Sequence, residues 1–129
     1  MSAGDSRYSP RVRSLFAELP NAGPLPVAAG RIAAGESIAL DRGAWVRFEA
    51  RCEDGRIAEC RFRAWGCPHA LAASALAASR LSGASLELAR AIDAAGLARE
   101  LDAPAGKLGR LLVVEDAIHS LIAAIARLQ

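Results

Sequence analysis

Cys67 stands where a strand signal ends and a helical one begins, in the segment Ala64-Trp65-Gly66-Cys67-Pro68-His69-Ala70-Leu71. A thiol at the positive end of a helix dipole is favoured as the thiolate, the form that binds metals and attacks sulfur. Pro68 suits the first helical position, where a missing N–H costs nothing, so Cys67 is placed at the N-cap. That position raises its standing, because an isolated cysteine is more often packing than chemistry. His69, two residues on, could reach a metal or a substrate held at Cys67, although a first-turn histidine is expected to face solvent. Cys60 is expected to point into the core and Cys52 to be an incidental thiol at a hairpin edge. His119 falls beside the apolar stripe of a helix and is expected to be structural. With two histidines, and neither a Ser/His/Asp constellation nor a His-x-x-x-His spacing, hydrolase and metalloprotease chemistry has no support.

The elements that must position Cys67 fit in one domain, residues 1–129. Hydrophobic residues make up 53% of the chain against 23% charged, enough for a real core, and with aromatics at 5% that core is mainly Ala, Leu, Ile and Val. No apolar run is long enough to cross a bilayer, and residues 1–5 lack the apolar stretch of a signal peptide, so a cytoplasmic protein is expected. The three cysteines cannot all pair, and free thiols are the default in a reducing compartment. A net charge of +2 and a pI near 8.7 are too mild to call for a nucleic acid. Arg47, Arg51, Arg61 and Arg63 alternate with Glu49, Glu53 and Glu59, which reads as a solvated, ion-paired sheet face.

The first element is a short helix within residues 1–19 after Ser9-Pro10, with Tyr8, Val12, Leu15, Phe16 and Leu19 on one face. A Pro-, Gly- and Ala-rich loop over 20–35 leads to a strand around 37–40. A hairpin follows, with strands at 45–52 and 56–65 around a three-residue loop, Glu53-Asp54-Gly55. Its expected register pairs Ala50 with Ala58, Phe48 with Cys60 and Val46 with Phe62 on a dry face. Glu49, Arg47 and Trp45 then meet Glu59, Arg61 and Arg63 on a wet one. Helices are expected over 68–81, ending at Ser82-Gly83, and over 85–93 with Ser85 as N-cap. A short piece is expected near 98–101, and a final helix over 108–128 carries Leu108, Leu111, Leu112, Ile118, Leu121, Ile122, Ile125 and Leu128 on one stripe. Strands first and helices afterwards imply an α+β domain, a three-stranded antiparallel sheet with helices packed on one face.

Laid out in this way, the chain resembles the IscU/NifU-type iron–sulfur cluster assembly scaffolds. The resemblance rests on Tyr8-Ser9, Asn21-Ala22-Gly23, Gly43, Asp54-Gly55, Arg61-Phe62, Gly66-Cys67, Ser74 and Gly83. It continues through Ser85-Leu86, Ala89, Ile92 and Lys107 to Glu115-Asp116-Ala117-Ile118, without a gap from Cys67 onward. Such scaffolds hold a nascent iron–sulfur cluster, or a zinc ion, on three cysteines helped by an aspartate or a histidine. The resemblance places the first ligand cysteine on Arg42 in Asp41-Arg42-Gly43-Ala44, the second on Cys67, and the third, in a His-Cys pair, on Gly109-Arg110. A chaperone-recognition segment of Leu-Pro-Pro-Val-Lys type is reduced to Ala103-Pro104-Ala105-Gly106-Lys107.

A cluster or structural zinc wants about four protein ligands, mostly thiolate, whereas a guanidinium has no lone pair to give. Arg42 and Arg110 beside Cys67 would repel a metal cation, lower the thiol pKa and attract an anion. The resemblance therefore implies a non-catalytic, degenerate scaffold that works beside a cysteine desulfurase or other assembly proteins, with Cys67 as residual ligand and Arg42, Arg110 and His69 around it. A single-cysteine persulfide acceptor of the SufE type, which shares this general fold, and a pseudo-scaffold that only docks and regulates remain the alternatives.

Overall fold

Asp54 and Gly55 turn the central hairpin, both with positive φ (51° and 74°), the conformation of a two-residue turn whose twist matches that of the strands it joins. The computed structural model describes residues 7–26 and 30–128. Residues 1–5, read above for a signal sequence, and residues 27–29 of the first loop lie outside the described residues. The element order is α1 (Pro10–Glu18), β1 (Arg31–Ala39), β2 (Ala44–Glu53), β3 (Arg56–Trp65), α2 (Pro68–Leu81), α3 (Leu86–Arg90), α4 (Ala94–Leu101) and α5 (Leu108–Leu128). The strands form one antiparallel sheet in the order β1-β2-β3, so the expected α+β architecture is the observed one.

The hairpin register differs from the expected one by two residues. Phe48 faces Phe62, Ala50 faces Cys60, Val46 faces Ala64 and Glu49 faces Arg61. The loop is tighter than three residues, because Glu53 pairs with Arg56, and a bulge beside Arg51 and Cys52 leaves Ala58 without a partner. A shift of two keeps every side chain beyond the bulge on its expected face, so Phe48, Cys60 and Phe62 are buried as the pattern requires. The bulge reverses the alternation on its turn side, which sends Ile57 into the core although the simple register gave it to solvent.

β1 starts at Arg31 rather than near 37, and Leu40, expected at its end, opens a 3-10 turn (Leu40–Arg42) instead. Alternation is weak there because β1 crosses α5 at Gly35, where a side chain has no room. A Cβ built on Gly35 would lie 2.1 Å from Leu121 N and 2.5 Å from Leu121 Cα. α2 and α5 cover the inner sheet face, α2 against β3 and α5 against β1 and β2. α2 matches its expected bounds, and α4 is longer than the short piece expected because Asp93 caps it by accepting from Gly96 N at 2.8 Å. α5 also matches, although Leu108 and Leu112 of its stripe are exposed. α1 is tied to α4 through Ser9, whose Oγ accepts from Val12 N and donates to Leu101 O.

The outer sheet face is ion-paired as expected. Arg47 meets Glu36 and Glu49, Arg63 meets Glu49, Arg61 meets Glu59 and Arg51 meets Glu53. Burial alone would raise the Glu49 pKa, but Leu25 N, Arg47 and Arg63 all donate to its carboxylate and hold it below the usual value.

Candidate functional site

Three turns of chain meet where β3 passes into α2. Cys67 is the N-cap of α2, half-buried, with Pro68 in the first helical position. The corner before it depends on Gly66, at φ 149°, since a Cβ there would lie 3.2 Å from both Gly43 O and Ala70 Cβ. Gly66 thereby brings Cys67 beside the loop that carries Arg42. From the other side comes the start of α5. The Arg42 guanidinium lies against Gly109, where a Cβ would meet Arg42 Nε at 3.2 Å, and Arg42 Nη1 donates to Gly109 O at 3.4 Å. The missing side chain at 109 is what lets Arg42 occupy that space.

The Cys67 side chain forms no capping hydrogen bond, so the first-turn N–H groups of α2 lack the side-chain acceptor that Ser, Thr, Asn or Asp would supply. His69 corrects the sequence expectation: it is 1% exposed, not solvent-facing, and Tyr8, just ahead of α1, packs against it. The Tyr8 ring stands 5.0 Å from the imidazole, centroid to centroid. Neither ring nitrogen of His69 has a hydrogen-bond partner, a situation that costs on the order of 1–3 kcal/mol for a buried donor or acceptor. Burial first, then the positive charges of Lys107 and Arg110, push the His69 pKa below its ordinary value and keep the ring neutral at pH 7. Among the described residues no carboxylate pairs with Arg42, Lys107 or Arg110.

The other thiols differ in kind. Cys60 is fully buried, and burial, followed by the nearness of Cys52 and Glu59, pushes its pKa up to about 12. Burial also raises the pKa of Cys52. No disulfide joins the three.

A family model described as the NifU-like N-terminal domain matches residues 7–128, nearly the whole chain. This chain belongs to that family. Against the iron–sulfur cluster assembly scaffold protein IscU of Haemophilus influenzae, the NifU-like domain is 32% identical over 117 residues, 90% of this chain and 93% of the relative. The corresponding Azotobacter vinelandii protein is 30% identical over 116 residues, 89% and 91% of the two chains. The Escherichia coli K12 protein of the same name is 38% identical over 71 residues, so in that alignment the chain spans about half the relative, 56% of its length. Among solved structures, a putative scaffold protein for the SUF system from Fervidobacterium islandicum superposes with a TM-score of 0.73 at 13% identity, covering 90% of this chain and 96% of that one. A NifU-like protein from Brucella abortus gives 0.55 at 19% identity, covering 92% and 89%. At such identities these structures speak for the fold.

Of the sequence-predicted residues, Arg42 reaches Gly109, the neighbour of Arg110; the Arg110 charge is felt at His69; and Cys67 stands two residues before His69 at the start of α2. Sequence reasoning missed Lys107 as a member of this group and Tyr8 as the ring packed against His69. Lys107 lies three residues before Arg110, a spacing that hinted at a shared face. His119 is exposed rather than structural, about 15 Å along α5 from Gly109 by helical rise. There it groups with Glu115 and Asp116, whose potential ligand atoms and its own all lie within 4.8 Å of one another. Glu115 is already engaged, accepting from Ala94 N at 2.8 Å. No helix among the described residues is long and apolar enough to cross a membrane.

Proposed function

We propose that this chain works in iron–sulfur cluster assembly as a scaffold-type protein whose chemistry is confined to Cys67. The observation that carries the reading is the near full-length match to proteins named as such scaffolds, with Cys67 at the N-cap of α2. The donor set at that corner does not fit a zinc ion or a cluster held by one chain. It offers one thiol and one imidazole, and the remaining side chains, Arg42, Lys107 and Arg110, carry positive charge and no lone pair. Metal analysis after anaerobic reconstitution is expected to find far less than one metal per chain. About one per chain, lost in Cys67→Ala, would overturn this and restore single-chain cluster binding.

A specific observation favours persulfide acceptance as the mode of action: Cys67 is the thiol that stands at a helix N-terminus, whereas burial raises the pKa of the other two. The Cys67 thiolate would attack the outer sulfur of a donor persulfide, forming Cys67–S–S⁻ while the donor leaves as a thiolate. Incubation with a cysteine desulfurase and cysteine should add one sulfur to Cys67 by intact mass and none in Cys67→Ser. If desulfurase co-purifies but leaves Cys67 unmodified, the chain docks and regulates without carrying sulfur.

A further inference from the structure

His69 is a buried polar side chain with nothing to bind, in a place where positive charges gather. The charges of Lys107 and Arg110 are felt at its ring, and Tyr8 packs against it at 5.0 Å, centroid to centroid. The same corner holds the side-chain-uncapped first turn of α2 and the Arg42 guanidinium laid across Gly109. Each is a donor or a positive charge that an anion would satisfy. A cation would gain nothing there except at Cys67. Arg42, Lys107 and Arg110, none of them paired with a carboxylate among the described residues, call for a ligand of more than one negative charge, small enough to sit among a turn, a helix start and a loop.

We propose that this corner binds a tetrahedral sulfur oxyanion, with thiosulfate as the simplest that carries a transferable sulfur, on Arg42, Lys107, Arg110, the start of α2 and an N–H of His69. The proposal rests on Cys67 as the sulfur-accepting residue and names a low-molecular-weight donor for it. In the transfer, the Cys67 thiolate attacks the sulfane sulfur of thiosulfate and a new S–S bond forms. The bond between the sulfane and sulfonate sulfurs breaks, and sulfite leaves with that electron pair. Three negative charges enter and three leave, with no external oxidant or reductant. The cations hold the sulfonate oxygens and stabilise the charge that gathers on the departing sulfite. His69, neutral in the free protein, donates to the anion and gains the partner it lacks.

The test uses the whole chain, with the two histidine rings followed by NMR during titration with thiosulfate and separately with sulfate and phosphate. Expected is a saturable shift of the His69 resonances with thiosulfate and sulfate, none at His119, and about tenfold weaker binding in Arg110→Ala and in His69→Phe. His69→Gln, which keeps an N–H donor, should recover part of the loss. Thiosulfate, but not sulfate or phosphate, should also place one sulfur on Cys67 and release sulfite in equal amount. No saturable shift with any anion, or binding unchanged in the Arg110 and His69 variants, overturns the anion site even if a desulfurase still loads Cys67. Binding without sulfite release overturns thiosulfate as donor and leaves an oxyanion site. Failure of both thiosulfate and desulfurase to modify Cys67 removes the sulfur-accepting reading itself.

Discussion

Two places in this molecule bring backbone against backbone with no side chain between, and they end differently. At Gly35, opposite Phe48 in the sheet, β1 crosses the backbone of Ser120 and Leu121 of α5 at the edge of the apolar core, and its close contact is packing alone. At Gly66, the corner after β3 passes Gly43 less tightly, a Cβ there meeting Gly43 O at 3.2 Å, and what lies beside the contact is polar: an uncapped helix start, a thiol, a histidine without partners and cations without carboxylates. The first place satisfies its groups internally. The second leaves them without internal partners, the pattern expected of a ligand site rather than of a core.

The core side should show the largest effects. Phe48 is fully buried where β2 meets α5, and Phe48→Ala should destabilise the domain by about 4 kcal/mol through lost burial and the cavity left behind. Gly35→Ala should cost about 3 kcal/mol although it adds only a methyl group, since the nearest obstacles are backbone atoms of Ser120 and Leu121, which no rotamer change can move. Both are read from the midpoint of urea unfolding. By contrast Gly109→Ala, at the ligand corner, should cost well under 1 kcal/mol, because the atom it meets belongs to the flexible Arg42 side chain. A Gly109→Ala penalty as large as that of Gly35→Ala would mean that the corner is a structural contact after all.

Thiol chemistry separates the same two regions. With iodoacetamide near neutral pH, Cys67 should be alkylated first, Cys52 more slowly and Cys60 last. Cys60 lies in the core with its pKa pushed to about 12, and only unfolding should expose it. Peptide mass spectrometry over time gives the ranking. Cys52 reacting as fast as Cys67 would show that the α2 N-terminus confers no advantage.

Much of this was legible in the sequence, and the exceptions have physical reasons. Helix starts are carried by single residues, Ser9-Pro10, Pro68 and Ser85, so α1 and α2 can be placed from caps alone and α3 at its start, although α3 ends at Arg90 rather than near 93 because Asp93 caps α4 instead. β1 was mostly missed because Gly35 and its small neighbours, chosen to fit α5, erase the bulky alternation that marks a strand. The bulge at Ala58 was invisible because a two-residue turn plus a bulge and a three-residue turn place the same residues inside beyond it, and only Ile57 tells them apart. At the site, Arg42, Cys67 and Arg110 could be gathered by resemblance. The burial of His69 could not, since its ring packs against Tyr8, some sixty positions earlier in the chain.

The smallest effect should be the pH dependence that His69 imposes. Its pKa lies below the ordinary 6.5 in the folded chain, from burial and then from Lys107 and Arg110, and returns to about 6.5 on unfolding. Below that value the unfolded chain takes up a proton that the folded chain refuses, so stability should be complete above pH 6.5 and decline as pH falls toward the folded pKa. Glu49, whose pKa is lowered from 4.5, acts at a lower pH, so the interval between 6.5 and about 5 isolates the histidine. His69→Leu should flatten the decline there and leave stability at pH 7 unchanged or slightly higher, since an unpartnered polar ring gives way to an apolar chain. Saturating sulfate should reduce the slope in the parent without abolishing it, because an anion beside Lys107 and Arg110 offsets their charge while the burial that contributes most to the lowered His69 pKa remains, and should do nothing in His69→Leu. A slope that persists in His69→Leu would assign it elsewhere and place the histidine with the core rather than with the open corner.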